Sequence, residues 1–220
     1  MKKKIVLLGS GGHARSAIDA IEASDIYEIA GFIDCEEKKN AVYRGYKVIG
    51  DDRDLQSLYD SGIHHAFIGI GYLGRGEIRS RLYRKLKKIG FEMPAVVDPT
   101  AVLAKDARVG EGTFIGKTAV INSGAFIGKM TVINTAAVVE HDCRIGDFCH
   151  ISVNSTLCGG VFVEDRSFVG AGAVIIQGIT VGENSVIGAG SIVAKNVGSS
   201  VRFRNRITSE IIHNIGGGGN

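Results

Sequence analysis

From Val97 onward the chain repeats with a period of six. The first residues of successive hexads are Val97, Leu103, Val109, Ile115, Ile121, Ile127, Ile133, Val139, Ile145, Ile151, Leu157, Val163, Val169, Ile175, Val181, Ile187 and Val193, all aliphatic and without a slip of frame. If roughly one residue in three were Ile, Leu or Val, chance would produce such a run about once in 10⁸ frames. The fifth place is mostly small (Thr113, Ala119, Ala125, Thr131, Ala137, Cys143, Cys149, Ser155), and Gly often fills the second (Gly110, Gly116, Gly128, Gly146, Gly170). Period six fits neither an α-helix nor a stack of hairpins. It is the signature of a parallel β-helix, in which short strands meet at tight corners and equivalent positions stack coil upon coil. Three hexads per coil make residues 18 apart neighbours. Residues 97–198 then supply five to six coils spaced about 4.8 Å apart. Of the 31 glycines, 15 lie in this region, and the chain has only two prolines, as expected where nearly every N–H enters a ladder.

Residues 1–96 follow another pattern, alternating strands with helices. Strands are predicted at Lys3–Gly9, Glu28–Asp34, Val48–Ile49 and His65–Gly71, and helices at Ala14–Ala23, Arg53–Tyr59 (capped by Asp51 or Asp52) and Arg75–Lys88. The expected architecture is therefore α/β plus all-β: a small parallel Rossmann-like unit (1–96), a β-helix (97–198) and a tail (199–220). With 45% hydrophobic residues and a net charge of +3, the chain can bury a core and carries no mark of a nucleic-acid binder or a polybasic membrane protein. No apolar stretch reaches the roughly 18 residues of a membrane span, and MKKKIVLLGSGGHAR runs into a strand and a glycine turn rather than a signal-peptide cleavage site. Four cysteines without a CxxC pair are read as reduced thiols, which points to the cytoplasm.

Two motifs carry chemistry. In the first, Gly9-Ser10-Gly11-Gly12-His13-Ala14-Arg15 follows a strand and opens a helix, and Asp34 ends the next strand. Glycines let backbone N–H groups approach a phosphate at a helix N-terminus. The spacing also satisfies the dinucleotide pattern, but four strands make one mononucleotide half, which favours a single nucleotide with its phosphates. His13 would bond a phosphate oxygen and Asp34 a base or ribose; a tight turn without ligand is the plainer alternative. The second motif is Val139-Glu140-His141-Asp142-Cys143-Arg144-Ile145-Gly146-Asp147-Phe148-Cys149-His150. His141 takes the third place of its hexad, an outward corner with a carboxylate on each side, as a general base requires. The coil register sets Gly159 beside His141 and Gly160 beside Asp142, which leaves room for a slim ligand and exposes N–H groups to a carbonyl. A solvated corner is the bland alternative, and His141 with His150 makes only a weak zinc site, so no metal is expected. Cys143 and Cys149 fall in small-residue slots of the core, His64 and His65 read as surface residues, and Arg202, Arg204 and Arg206 as a solvated edge strand or a phosphate clamp.

The unbroken hexads resemble the left-handed β-helix acyltransferases. Together with GSGGHAR, GFID, FIGIG and EHDCRIGDFCHIS they resemble the sugar acetyltransferases of bacillosamine and sialic-acid metabolism over residues 3–197. That resemblance implies a homotrimer of left-handed coils with acetyl-CoA between neighbouring prisms, and an α/β unit that holds a UDP-linked amino sugar. It also implies roles: His141 as general base oriented by Asp142, His150 near the acetyl group, Gly159 and Gly160 at the cofactor, and Gly11, Gly12, His13, Asp34 and Gly71 at the nucleotide sugar. Sialic-acid O-acetylation is the neighbouring activity, and a non-catalytic trimeric nucleotide-sugar-binding scaffold the alternative of another class. Two positions depart from the family: Cys35 replaces a second acid, and SSVRFRNRITSEIIHNIGGGGN replaces the usual Gly-x-Pro-Ala ending after Val197.

Overall fold

The computed structural model describes residues 2–71 and 77–205. The first part of the chain forms β1 (Lys3–Leu8), α1 (Gly12–Ser24), β2 (Tyr27–Ile33), β3 (Val42–Tyr43), β4 (Tyr46–Gly50), α2 (Leu55–Asp60), β5 (His65–Ile68) and α3 (Glu77–Ile89). One sheet runs β3-β4-β2-β1-β5, parallel except for the β3–β4 pair. Ile5, Val6, Leu7 and Leu8 in central β1 are all buried, the continuous apolar run expected of a strand covered on both faces. On α1, Ala14, Ala17, Ile18 and Ile21 form the inward stripe at three- and four-residue spacing.

The sheet has five strands rather than about four, because residues 42–50 fold back on themselves. Arg44 and Gly45 both adopt positive φ (52° and 85°), the geometry of a two-residue hairpin turn. Arg44 is an uncommon residue for that turn, and its guanidinium reaches Asp19 and Glu22 on α1. The expected cap of α2 is also different. Asp54 occupies the cap position without a capping bond, while Asp51 closes the preceding turn by accepting from Arg53 N at 2.7 Å.

The hexads form a left-handed parallel β-helix. Each strand is two residues long, and its second residue is the hexad aliphatic, as in Val138–Val139 and Arg144–Ile145. Pairing such as Val120 with Val138 and Val132 with His150 keeps the 18-residue register. Three faces result. The first has six rungs from Val102–Leu103 to Ile192–Val193, the second five from Arg108–Val109 to Thr180–Val181, and the third seven from Val96–Val97 to Arg202–Phe203. The fourth hexad place turns the corner in the left-handed region, even where it holds Thr118, Ala136, Asp142 or Phe148. Each corner N–H donates one coil back, as Asp142 N does to Ser123 O (3.0 Å), which offsets the conformational cost. Inside, the aliphatic column is sealed, and each buried Ile or Val contributes about 1.5–3 kcal/mol. The small polar residues beside it donate to carbonyls of the next coil, for example Thr131 Oγ1 to Gly146 O at 2.8 Å. Cys143 and Cys149 lie in this core, as their slots predict.

The α/β unit sits on the third face. Phe114 and Val132 of that face join the cluster of Ile5, Leu7, Ala14 and Ile18. Tyr83 of α3 donates to Glu111 (2.6 Å), Lys87 pairs with the same carboxylate (2.9 Å), and Lys117 links Asp98 (3.2 Å) to Asp19 of α1 (3.6 Å). Among the described residues no helix is long and apolar enough to cross a membrane.

Candidate active site

His141 stands on the corner between the first and second faces, its side chain 64% exposed. Its Nδ1 meets Asp142 Oδ2 at 2.9 Å, and its backbone N–H donates to Glu140 Oε2 at 3.2 Å. The hydrogen bond to Asp142 raises the imidazole pKa above its ordinary value, and the charges of Asp142 and Glu140 add to it. With Nδ1 carrying the proton toward the carboxylate, Nε2 is left with a lone pair. That edge of the ring lies over Gly159: a Cβ there would stand 2.5 Å from His141 Nε2, so glycine is required for this pose. Gly160 N donates to His141 O (2.9 Å) and is spent in the ladder, whereas among the described residues no hydrogen bond engages the Gly159 N–H. At Gly160 and Gly178, in successive coils above Asp142, an added Cβ would meet nothing within 4 Å. The corner is therefore open along the edge that leads away from the imidazole.

The glycine loop and Asp34 lie on the other side of the molecule. A cavity of about 580 Å³ opens at the ends of β1 and β2, lined by Gly9, Asp34, Cys35, Arg53 and Arg81 among others. Asp34 lines it but is already engaged, accepting from Ser10 N (2.8 Å), Ser10 Oγ (2.5 Å), Cys35 N (2.8 Å) and Lys38 Nζ (3.0 Å). Burial alone would raise its pKa, but these bonds outweigh burial and hold the carboxyl well below the usual range. Asp34 thus ties the glycine loop to β2 before any ligand contact. Gly11 begins α1 without a side-chain cap, and Gly11 and Gly12 have open space around them, which leaves the first-turn N–H groups available to an anion. His13 turns inward instead, its ring edge-on to Phe114 at 4.9 Å, and Gly71 packs against it with a virtual Cβ 3.6 Å from His13 Cβ.

His150 is buried on the third face, 8% exposed, its ring 5.2 Å from Phe168 and its Nε2 3.5 Å from Asn134 Nδ2. Burial lowers the pKa of both His13 and His150, and the charge of Arg79, a 3%-exposed residue of α3, adds to the effect on each. Residues of two separate motifs therefore meet at the seam between α/β unit and prism. Arg79 was not singled out from the sequence. Its signal was the spacing of Arg79, Leu82 and Leu86, a cation in the apolar stripe of a basic helix. His141 and His150 do not meet within one chain, because the corner of His141 is opposite the face that carries His150. His65, expected at the surface, is half-buried against Tyr27 (5.4 Å), with its Nε2 3.3 Å from Glu92 Oε2. Arg202 extends the third face as an added rung, and Arg206 with the rest of the tail lies outside the described residues. Among the described residues no group of three or more His, Cys, Asp or Glu is arranged for a metal ion.

Comparison with known proteins accounts for both halves. A family model described as the PglD N-terminal domain matches residues 4–86, and one described as the hexapeptide repeat of succinyl-transferase matches residues 160–195. PerB from Caulobacter crescentus, solved with CoA and GDP-perosamine, is 37% identical, with 90% of this chain and 92% of that one covered at a TM-score of 0.84. The chain belongs to the hexapeptide-repeat sugar acetyltransferases. The acetyltransferase domain of PglB from Neisseria gonorrhoeae, solved with acetyl coenzyme A, is 27% identical over 92% of this chain and 96% of that one, with a TM-score of 0.82. The GDP-perosamine N-acetyltransferase of Escherichia coli O157:H7 is 25% identical over 177 residues, 78% of this chain and 77% of the relative. The protein is thus an acetyl-CoA-dependent sugar acetyltransferase, as the resemblance implied.

Proposed function

We propose that the protein transfers the acetyl group of acetyl-CoA to the amino group of a nucleotide-linked sugar, with His141 as general base and Asp142 as its orienting carboxylate. The observation that carries this reading is the corner itself: an exposed His–Asp pair at 2.9 Å with Gly159 directly beneath Nε2. The open column of Gly160 and Gly178 fits a slim thioester arm, and the Gly159 N–H is available to an acyl oxygen. Bound acetyl-CoA supplies the thioester whose C–S bond breaks as the new C–N bond forms. His141 Nε2 takes the proton shed by the attacking amine, Asp142 holds the resulting imidazolium, and the proton returns to the departing sulfur. Neither Cys143 nor Cys149 serves as nucleophile: both are sealed in the core, and burial pushes their thiols up to about 11 and about 12.

The nucleotide belongs to the glycine loop and the cavity beside Asp34, where Arg53 and Arg81 supply positive charge for a diphosphate. Relatives at 36–37% identity were solved with GDP-perosamine, which favours a GDP-linked amino sugar over the UDP-linked type that the resemblance implied. We also propose that the working unit is a homotrimer. The first face presents Val102, Val120, Val138, Thr156, Val174 and Ile192 as one outward column, and Val102 and Ile192 at its ends are 62% and 59% exposed. Such a column is suited to burial against another chain. His141 stands at the edge of this face, across the prism from its own α/β unit, so a neighbouring chain is the natural source of the second wall and of the sugar.

A thiol-release assay with acetyl-CoA tests the reading, using GDP-perosamine, UDP-linked 4-amino sugars and sialic acids as acceptors. Release with an amino sugar, greatest for the GDP-linked one, is expected. Release only with sialic acid would replace N-acetylation by O-acetylation. Light scattering of the purified protein gives three times the chain mass if the trimer is right.

A further inference from the structure

The backbone N–H groups of His141 and Gly159 hold the same place in successive coils, about 4.8 Å apart. The upper one is the donor assigned above to the acyl oxygen. The lower one is taken: it donates to Glu140 Oε2 at 3.2 Å, which holds that carboxylate at the corner. The glycine edge above it has a direction. It stays open past Gly160 and Gly178 toward the C-terminal coils, but one coil below His141 it closes, since a Cβ added at Gly124 would stand 2.6 Å from Asp142 Oδ1. A thioester arm that enters from the open side brings its acyl group to the closed end. Two carboxylates wait there, Glu140 and Asp142, one on each side of the imidazole. The Asp142 charge is answered by the ring it binds, whereas Glu140 enters no ion pair among the described residues. Arg144, the only Lys or Arg between residues 138 and 155, lies on the second face, past Asp142 from Glu140. Glutamine would accept from the His141 N–H equally well, so the charge itself needs a reason.

We propose that Glu140 selects the acyl donor: its carboxylate, held at the closed end of the glycine edge, admits neutral acyl groups and rejects those that end in a carboxylate of their own, such as succinyl. This rests on the acetyl transfer and the course of the thioester arm put forward above. An acetyl group presents only a methyl to Glu140. A succinyl group would bring a second negative charge into the same end, with no cation to balance the pair. Like charges about 5 Å apart oppose each other by about fourfold in affinity if water fills the gap, and by about 250-fold if the surroundings are as polar as a protein surface. Selection of this kind works by an unfavourable contact with the wrong donor rather than by an extra contact with the right one.

The test compares butyryl-CoA with succinyl-CoA, two donors of equal chain length of which only the second ends in a charge. The full chain is measured beside Glu140→Gln, which keeps an acceptor for the His141 N–H and removes the carboxylate. In the parent, kcat/KM for succinyl-CoA is expected about tenfold or more below that for butyryl-CoA, and in Glu140→Gln the two are expected within about threefold of each other. The ratio is the readout, whatever the substitution does to acetyl transfer itself. Calorimetric affinities of the same two thioesters, taken without any sugar, are expected to show the same change of ratio. Equal use of the two donors by the parent, or a ratio that Glu140→Gln leaves unchanged, would overturn the proposal. Failure to acetylate any sugar sinks the proposed reaction instead, and the calorimetric ratio then judges Glu140 by itself.

Discussion

The corner of His141 and the seam of His13 and His150 use the same side chain in opposite ways. At the corner the imidazole is exposed to water and bonded to Asp142, and its pKa rises. At the seam two imidazoles are enclosed beside a guanidinium, and their pKa values fall to about 3 and about 4. Water can solvate the imidazolium at the corner, and the Asp142 carboxylate stabilises it. At the seam desolvation and Arg79 both oppose the charge. Proton transfer therefore has a natural home at the corner, whereas the seam keeps its imidazoles neutral.

The largest effect that could break this comparison is expected from His141→Ala. Removing a general base costs about 10²–10⁴-fold, and thiol release at saturating acceptor is the measurement; a variant with full activity would end the assignment. Gly159→Ala comes next, because the new methyl must displace the ring it would otherwise meet at 2.5 Å. A misplacement of that order costs up to about 10²-fold in kcat, while the melting temperature should stay close to that of the parent. Asp142→Asn is expected to lose about tenfold, near 1.4 kcal/mol of barrier, and to shift the pH profile. His141 must be neutral to accept a proton, so with its pKa raised the acid limb should lie above the ordinary value of 6.5. Loss of the carboxylate should move that limb toward lower pH, and a limb that stays in place would show that Asp142 does not tune the base. The smallest effect belongs to the docking of the seam: Tyr83→Phe removes the 2.6 Å bond to Glu111 and should cost about 1 kcal/mol in thermal or denaturant unfolding, with little change in kcat.

The corner was legible in the sequence to the level of side-chain neighbours. Eighteen residues per coil placed Gly159 against His141, and the structure puts the imidazole over that glycine. Such reach is possible because every coil repeats one backbone path, so counting residues is equivalent to measuring distance along the prism. The α/β unit was legible only in outline. The β3–β4 hairpin escaped notice because Arg44-Gly45 lacks the Asn or Asp that usually announces its turn. Asp34 was correctly set at the end of β2, yet its carboxylate binds Ser10 and Lys38, a use that spacing cannot distinguish from a ligand contact. Arg79 passed as one of several cations on a basic helix, and only burial separates it from Arg81 and Arg84.

The sequence by itself determined the prism, its register, the outward corner of His141 and the glycine turn that opens α1, since each follows from local geometry or from a ladder between identical positions. The tertiary structure decided which face of the prism the α/β unit covers. That choice rests on Phe114, Val132, Tyr83 and Lys117 meeting partners far away in the chain. It brings His13 and His150 together around Arg79 and leaves His141 on the opposite corner. A periodic backbone specifies its own neighbours, whereas docking two units depends on which surfaces bury apolar area and satisfy polar groups together, and no repeat in the chain encodes that.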